Sequence, residues 1–150
     1  MSVHDAVRSR AGDDQVRNVV LVGPGGAGKT LLAEAAVLAT GALTRLGSIE
    51  NGTTVCDFED VERRLGRSVS LSVASIVATG VPEMTGPVRI NLVDTPGHAD
   101  FVGELRAGLR AADAALFVVS ATDTAAAGGV IDGATRMLWT ECAAVGMPRA

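Results

Sequence analysis

The chain has almost no lysine: of its 13 basic residues only Lys29 is one, and the others are all arginine. Cysteine is scarce too. Cys56 and Cys142 stand alone with no metal-ligand spacing around either, which argues against a disulfide framework or a cysteine-built metal centre and for two reduced thiols. No apolar run approaches the ~20 residues that a membrane span needs, and the N-terminus lacks the apolar core of a signal peptide. We therefore expect a soluble, cytoplasmic protein with no membrane partner. Basic residues never gather into a stripe, and a net charge of −4 with a pI near 5.1 argues against a general hold on nucleic-acid backbone. No direct nucleic-acid patch is expected in this segment. Internal repeats are also missing. What is present, 150 residues at 47% hydrophobic content, suffices for one domain with a real core.

The single lysine is placed where arginine would serve badly. Gly23, Pro24, Gly25, Gly26, Ala27, Gly28, Lys29 and Thr30 fit G-x-x-x-x-G-K-[ST] at every fixed position. A glycine loop wraps a phosphate chain, and its lysine reaches the β- and γ-phosphates as a compact point charge. The backbone N–H groups of Gly26, Ala27, Gly28 and Lys29 would cradle the phosphates, aided by the positive end of the following helix. Thr30 would place its hydroxyl on Mg2+. The context fits: residues 17–22 form a short apolar run of the kind a buried parallel strand shows. After the loop, Leu31, Leu32, Ala35, Ala36, Leu38 and Ala39 recur at helical spacing, with Gly41 as the stop.

Residues 1–15 are polar and aperiodic and read as a flexible tail. Residues 40–67 read as a long, glycine-punctuated connection of the functional kind. Strands are expected at 69–79 and 88–93, joined through the turn-rich residues 80–87 as an antiparallel hairpin. A helix over 104–112, a buried strand over 114–119, an alanine-glycine loop over 121–129 and an amphipathic helix over 130–145 follow. Pro148, Arg149 and Ala150 begin one more strand. The order β-α-β-β-α-β-α is an α/β pattern, with ligands expected at the carboxyl ends of the parallel strands. Two special loops fall at such ends, one after Val22 and one after Val93.

The second loop is Asp94-Thr95-Pro96-Gly97-His98. A carboxylate at the end of a strand can hold the same Mg2+ as Thr30, commonly through water. The Gly97 N–H can face a γ-phosphate. His98, one residue on, is the candidate catalytic residue; its task would be to orient the attacking water and support the charged transition state.

The stretch Asp94-Thr95-Pro96-Gly97-His98-Ala99-Asp100-Phe101, continued by Glu104, Arg106 and Arg110-Ala111-Ala112-Asp113, resembles the translational GTPases, most closely the elongation factor G group. With the phosphate loop, the resemblance runs from about Arg17 to the end. It implies a P-loop NTPase fold of the Ras-like GTPase kind, with a mostly parallel sheet and one antiparallel hairpin. It also implies GTP and GDP as ligands, Mg2+ as cofactor, GTP hydrolysis as activity, and the ribosome as partner, tRNA–ribosome complexes included. Leu65-Gly66-Arg67-Ser68 aligns with the family's Arg-Gly-Ile-Thr, so Ser68 becomes the third candidate for Mg2+. Switches are expected near 45–72 and 94–105.

This sequence departs from the family in three respects. Gly26 stands where an acidic residue is usual. Arg67 replaces an apolar residue that helps shield the histidine, and Arg63, Arg64 and Arg67 cluster in the first switch. The family's Asn-Lys-x-Asp guanine-selecting loop is not among these residues. We therefore expect residues 16–150 to be the N-terminal portion of a GTP-binding domain, broken off before the guanine-specificity strand. That would leave the strand at 114–120 with an exposed apolar edge. Two other readings stay open from the residues alone: a nucleotide-gated ribosome-binding or regulatory module with little hydrolysis, and a P-loop ATPase of another lineage.

Overall fold

The computed structural model describes residues 15–48, 51, 53–56, 62, 64, 68–82, 84, 86–97, 102–122 and 131–150. Strand β1 (Val16–Val22) leads through the glycine loop into helix α1 (Lys29–Ala39). After the long connection come β2 (Ser72–Ala78) and β3 (Val88–Asp94), then helix α2 (Val102–Ala111), β4 (Ala114–Phe117) and helix α3 (Gly133–Ala144). The sheet runs β2-β3-β1-β4. β1 pairs in parallel with β3 and β4, and β2 pairs antiparallel with β3, as the expected hairpin requires.

Alternate side chains of the central strands go to opposite faces, so both faces need a cover. Leu21 and Leu92 join Ala74, Ala33 and Val37 under α1, with Cys56 from the long connection added. Val20, Val22 and Val93 turn the other way and pack with Leu105 of α2 and Leu138 and Cys142 of α3. Helices thus cover both faces of the sheet in the α/β pattern the order of elements predicted, and the arrangement realises the expected P-loop fold with one antiparallel pair. Among the described residues no helix is long and apolar enough to cross a membrane.

The structure fixes the phase of α1, which helical spacing left open, and corrects two expectations. α1 does not bury its run of leucines: Leu31 and Leu32 are exposed, and the inward face is Lys29, Thr30, Ala33, Glu34 and Val37. The phosphate loop dictates this, because it turns Lys29 and Thr30 inward and the residues one and two turns on must follow. The strand at 114–120 is shorter than expected, ending at Phe117. Its outer edge is also paired rather than bare over that length. Ala115 donates to the Pro148 carbonyl (2.9 Å), Phe117 to that of Ala150 (2.7 Å), and Ala150 back to that of Ala115 (3.1 Å). The short strand anticipated at the C-terminus thus starts in parallel beside β4. Arg149 there covers the Trp139 ring of α3 at 4.8 Å.

Candidate functional site at the carboxyl ends of β1 and β3

The register of the sheet builds the site. Leu21 of β1 lies opposite Asp94 of β3, so the loops that leave these strands emerge side by side. Thr95 fastens the second loop to the first strand, its buried hydroxyl donating to the Leu21 carbonyl at 2.6 Å. One more bond joins the loops, from the Gly25 N–H to the Gly97 carbonyl at 3.1 Å. The approach leaves no room for a side chain: a Cβ on Gly97 would stand 2.5 Å from both the Gly25 nitrogen and Lys29 Nζ. Within the glycine loop, Gly26 and Gly28 take left-handed backbone angles of 77° and 99° that other residues adopt only under strain.

Lys29 is 6% exposed, and its Nζ donates to the carbonyls of Gly23 and Pro24, both at 2.9 Å. Burial pushes the ammonium pKa below its ordinary value, and the Asp94 carboxylate opposes that shift. The charge is therefore held inside the loop against a desolvation cost, at the place where a phosphate chain would compensate it.

Beside it, three oxygen-bearing side chains meet. Thr30 Oγ1 donates to Asp94 Oδ2 at 2.7 Å, and Ser68 Oγ lies 3.4 Å from Thr30 Oγ1. Asp94 is buried to 1% exposure. Two hydroxyls and a carboxylate are the hard donors Mg2+ takes, so the residues present fit that ion. Lys29, Thr30, Ser68, Asp94 and Gly97, drawn from three separate parts of the sequence, thus come together. Gly26 points its missing side chain into open space, with nothing within 4 Å of where a Cβ would stand. The departure there takes away a side chain without opening a cavity. His98, Arg63 and Arg67 lie outside the described residues. A cleft of about 380 Å³ runs from Gly23 and Pro24 past Pro96 and Gly97 to Asp132 and Thr135 at the start of α3.

Two supporting residues escaped the reading of the sequence. Thr95 passed as part of a turn motif, although its place beside a buried strand end foretold a bonded hydroxyl. Glu34 interrupts the apolar residues of α1 one turn after Thr30 and is buried to 1% exposure. A carboxylate at that spacing from an inward-facing threonine was the available signal.

Known proteins resemble this chain in sequence and fold. The family described as Elongation factor Tu GTP binding domain matches residues 14–150. An elongation factor G-like protein of Mycobacterium tuberculosis is 56% identical over 139 residues, covering 93% of this chain and 18% of the relative. An oxytetracycline resistance protein of Streptomyces rimosus is 34% identical over 122 residues, covering 81% of this chain and 16% of its own length. A crystal structure of a Thermus thermophilus protein superposes with a TM-score of 0.75 at 39% identity, over 90% of this chain and 18% of that one. The chain thus spans less than a fifth of the length of each of these relatives.

Proposed function

Because the chain belongs to the family of the Elongation factor Tu GTP binding domain, among translational GTPases of the elongation factor G-like kind, we propose that it binds GTP and GDP with Mg2+ and hydrolyses GTP on the ribosome. The observation that carries this reading is the meeting of Lys29, Thr30, Ser68 and Asp94 at the ends of adjacent parallel strands. In this reading Gly23, Pro24, Gly25, Gly26, Ala27 and Gly28 wrap the phosphates with their backbone, and Lys29 neutralises the β- and γ-oxygens. Thr30, Ser68 and Asp94 would hold Mg2+, which when bound would supply neutralising charge at the phosphate oxygens. Gly97 offers its N–H to that phosphate, and His98 aligns the water. The elongation factor name of the mycobacterial relative supports a cytoplasmic protein with a ribosomal partner.

Gly26 favours a second reading, in which the nucleotide gates ribosome binding and little is hydrolysed, because the acidic side chain usual beside the phosphates is missing. A titration of the full-length protein with GTP, GDP and ATP, each with and without Mg2+, tests the binding. Mg2+-dependent binding of GTP and GDP without ATP is expected; preference for ATP would sink the proposal. Phosphate release from GTP should rise when ribosomes are added, and its failure to rise would leave the gated module as the better account.

A further inference from the structure

Glu34 is a fully buried carboxylate on the inward face of α1, and the proposed chemistry does not use it. Its two oxygens serve two separate points of the connection between α1 and β2. Oε1 accepts from the Gly47 N–H and Oε2 from the Val55 N–H, both at 2.8 Å. Between these points the chain closes on itself, with the Thr53 N–H donating to the Ser48 carbonyl at 3.1 Å and the Ser48 N–H to Thr53 Oγ1 at 2.9 Å. Cys56, next along, is buried with Leu21, Ala33 and Val37. A carboxylate buried this far is tolerated only when hydrogen-bonded, and two amide donors make both bonds charge-assisted. The loop is closed tightly on the carboxylate: a Cβ on Gly47 would clash with the Thr53 carbonyl oxygen and stand 2.6 Å from Glu34 Oε1.

The same connection returns to the same helix farther on, where Ser68 meets Thr30. α1 thus carries the phosphate-binding lysine and the Thr30 hydroxyl in its first turn and the anchor of the connection in its second. We propose that Glu34 is a positioning residue, a clamp that fixes Gly47 and Val55 to α1 and so sets the point from which the chain reaches Ser68 to the metal side of the nucleotide. The inference rests on the GTP-binding reading above. Its consequence is selectivity for the triphosphate, because the γ-phosphate together with Mg2+ draws on the far end of this connection, whereas GDP with Mg2+ leans chiefly on the glycine loop, Thr30 and Asp94.

Two variants break this contact from opposite sides in the full-length protein. Glu34→Gln keeps the shape but turns an N–H₂ donor toward one of the two amides. Gly47→Ala sets a methyl between Oε1 and the Thr53 carbonyl, forcing the loop off the carboxylate without altering α1. Amide hydrogen exchange without nucleotide reads the clamp: Gly47 and Val55 should be protected in the wild type and exchange at least about tenfold faster in both variants. Titration with Mg2+ reads the consequence: GTP should bind at least about tenfold more weakly to both variants, while GDP stays within about twofold. Equal weakening of GTP and GDP by Glu34→Gln, with Gly47→Ala unaffected, would show that Glu34 merely supports its helix and overturns the proposal. Unprotected amides in the wild type overturn it as well. A wild type that binds neither nucleotide refutes the GTP-binding reading instead, and the exchange comparison still decides the clamp.

Discussion

Lys29 carries opposing demands. Folding buries its ammonium, which lowers its pKa, and two loop carbonyls together with Asp94 only partly replace water. A group kept at such a cost in stability is expected where function requires it. Lys29→Met, similar in length and without charge, should therefore unfold at the same temperature as the wild type or a higher one. It should lose on the order of a hundredfold or more in nucleotide affinity through the missing charge-assisted phosphate contacts. Calorimetric unfolding and a nucleotide titration on the same preparations check both halves. A large fall in melting temperature would mean that the lysine chiefly holds the loop together.

At the level of elements, α3 begins on a built cap. The Asp132 carboxylate accepts the Thr135 N–H at 2.9 Å, beside the cleft that reaches Gly97. Burial pushes its pKa up, but hydrogen bonds from Thr135 and Ala134 outweigh that and leave it below the ordinary 3.8. A depressed carboxylate contributes stability above its unfolded pKa and loses it as pH falls through the lower folded value. Asp132→Ala should cost about 0.5–2 kcal/mol at pH 7 by urea unfolding. The difference from wild type should shrink once the pH drops below 3.8 toward the folded value. A gap that stays constant from neutral pH to that range would rule out the carboxylate as the cap's working group. Capping was legible in the sequence only as a helix start within 130–145, because the competing polar residues nearby do not announce which of them bonds an amide. The inward face of α1 was not legible for a related reason. Helical spacing gives the period of a stripe, while its phase is fixed by what the preceding loop must turn inward.

For the whole molecule, β1 is the structural centre. It pairs on both edges, and its side chains Val20 and Leu21 enter the two cores on opposite faces. Leu21 is fully buried, so Leu21→Ala should cost about 2–5 kcal/mol through lost burial and a cavity under α1. For a chain of this size that lowers the melting temperature by roughly 5–15 °C. Thermal unfolding followed by far-ultraviolet circular dichroism measures it, and a change of under about 1 kcal/mol would show that the α1 face is loosely packed.

The sequence by itself determined the glycine loop between β1 and α1, the aspartate at the end of β3, the order of elements and the antiparallel hairpin. Each rests on short-range chemistry: glycines that permit one loop path, apolar runs that demand burial, and a carboxylate placed directly after a strand. The place of Ser68 was anticipated through the family resemblance alone, and only the tertiary structure decided that it lies 3.4 Å from Thr30, that Glu34 holds Gly47 and Val55, and that the strand begun at Pro148 pairs with the edge of β4. Those contacts join residues far apart in the chain. Their partners are chosen by strand register and helix phase, which a local pattern of polar and apolar residues does not encode.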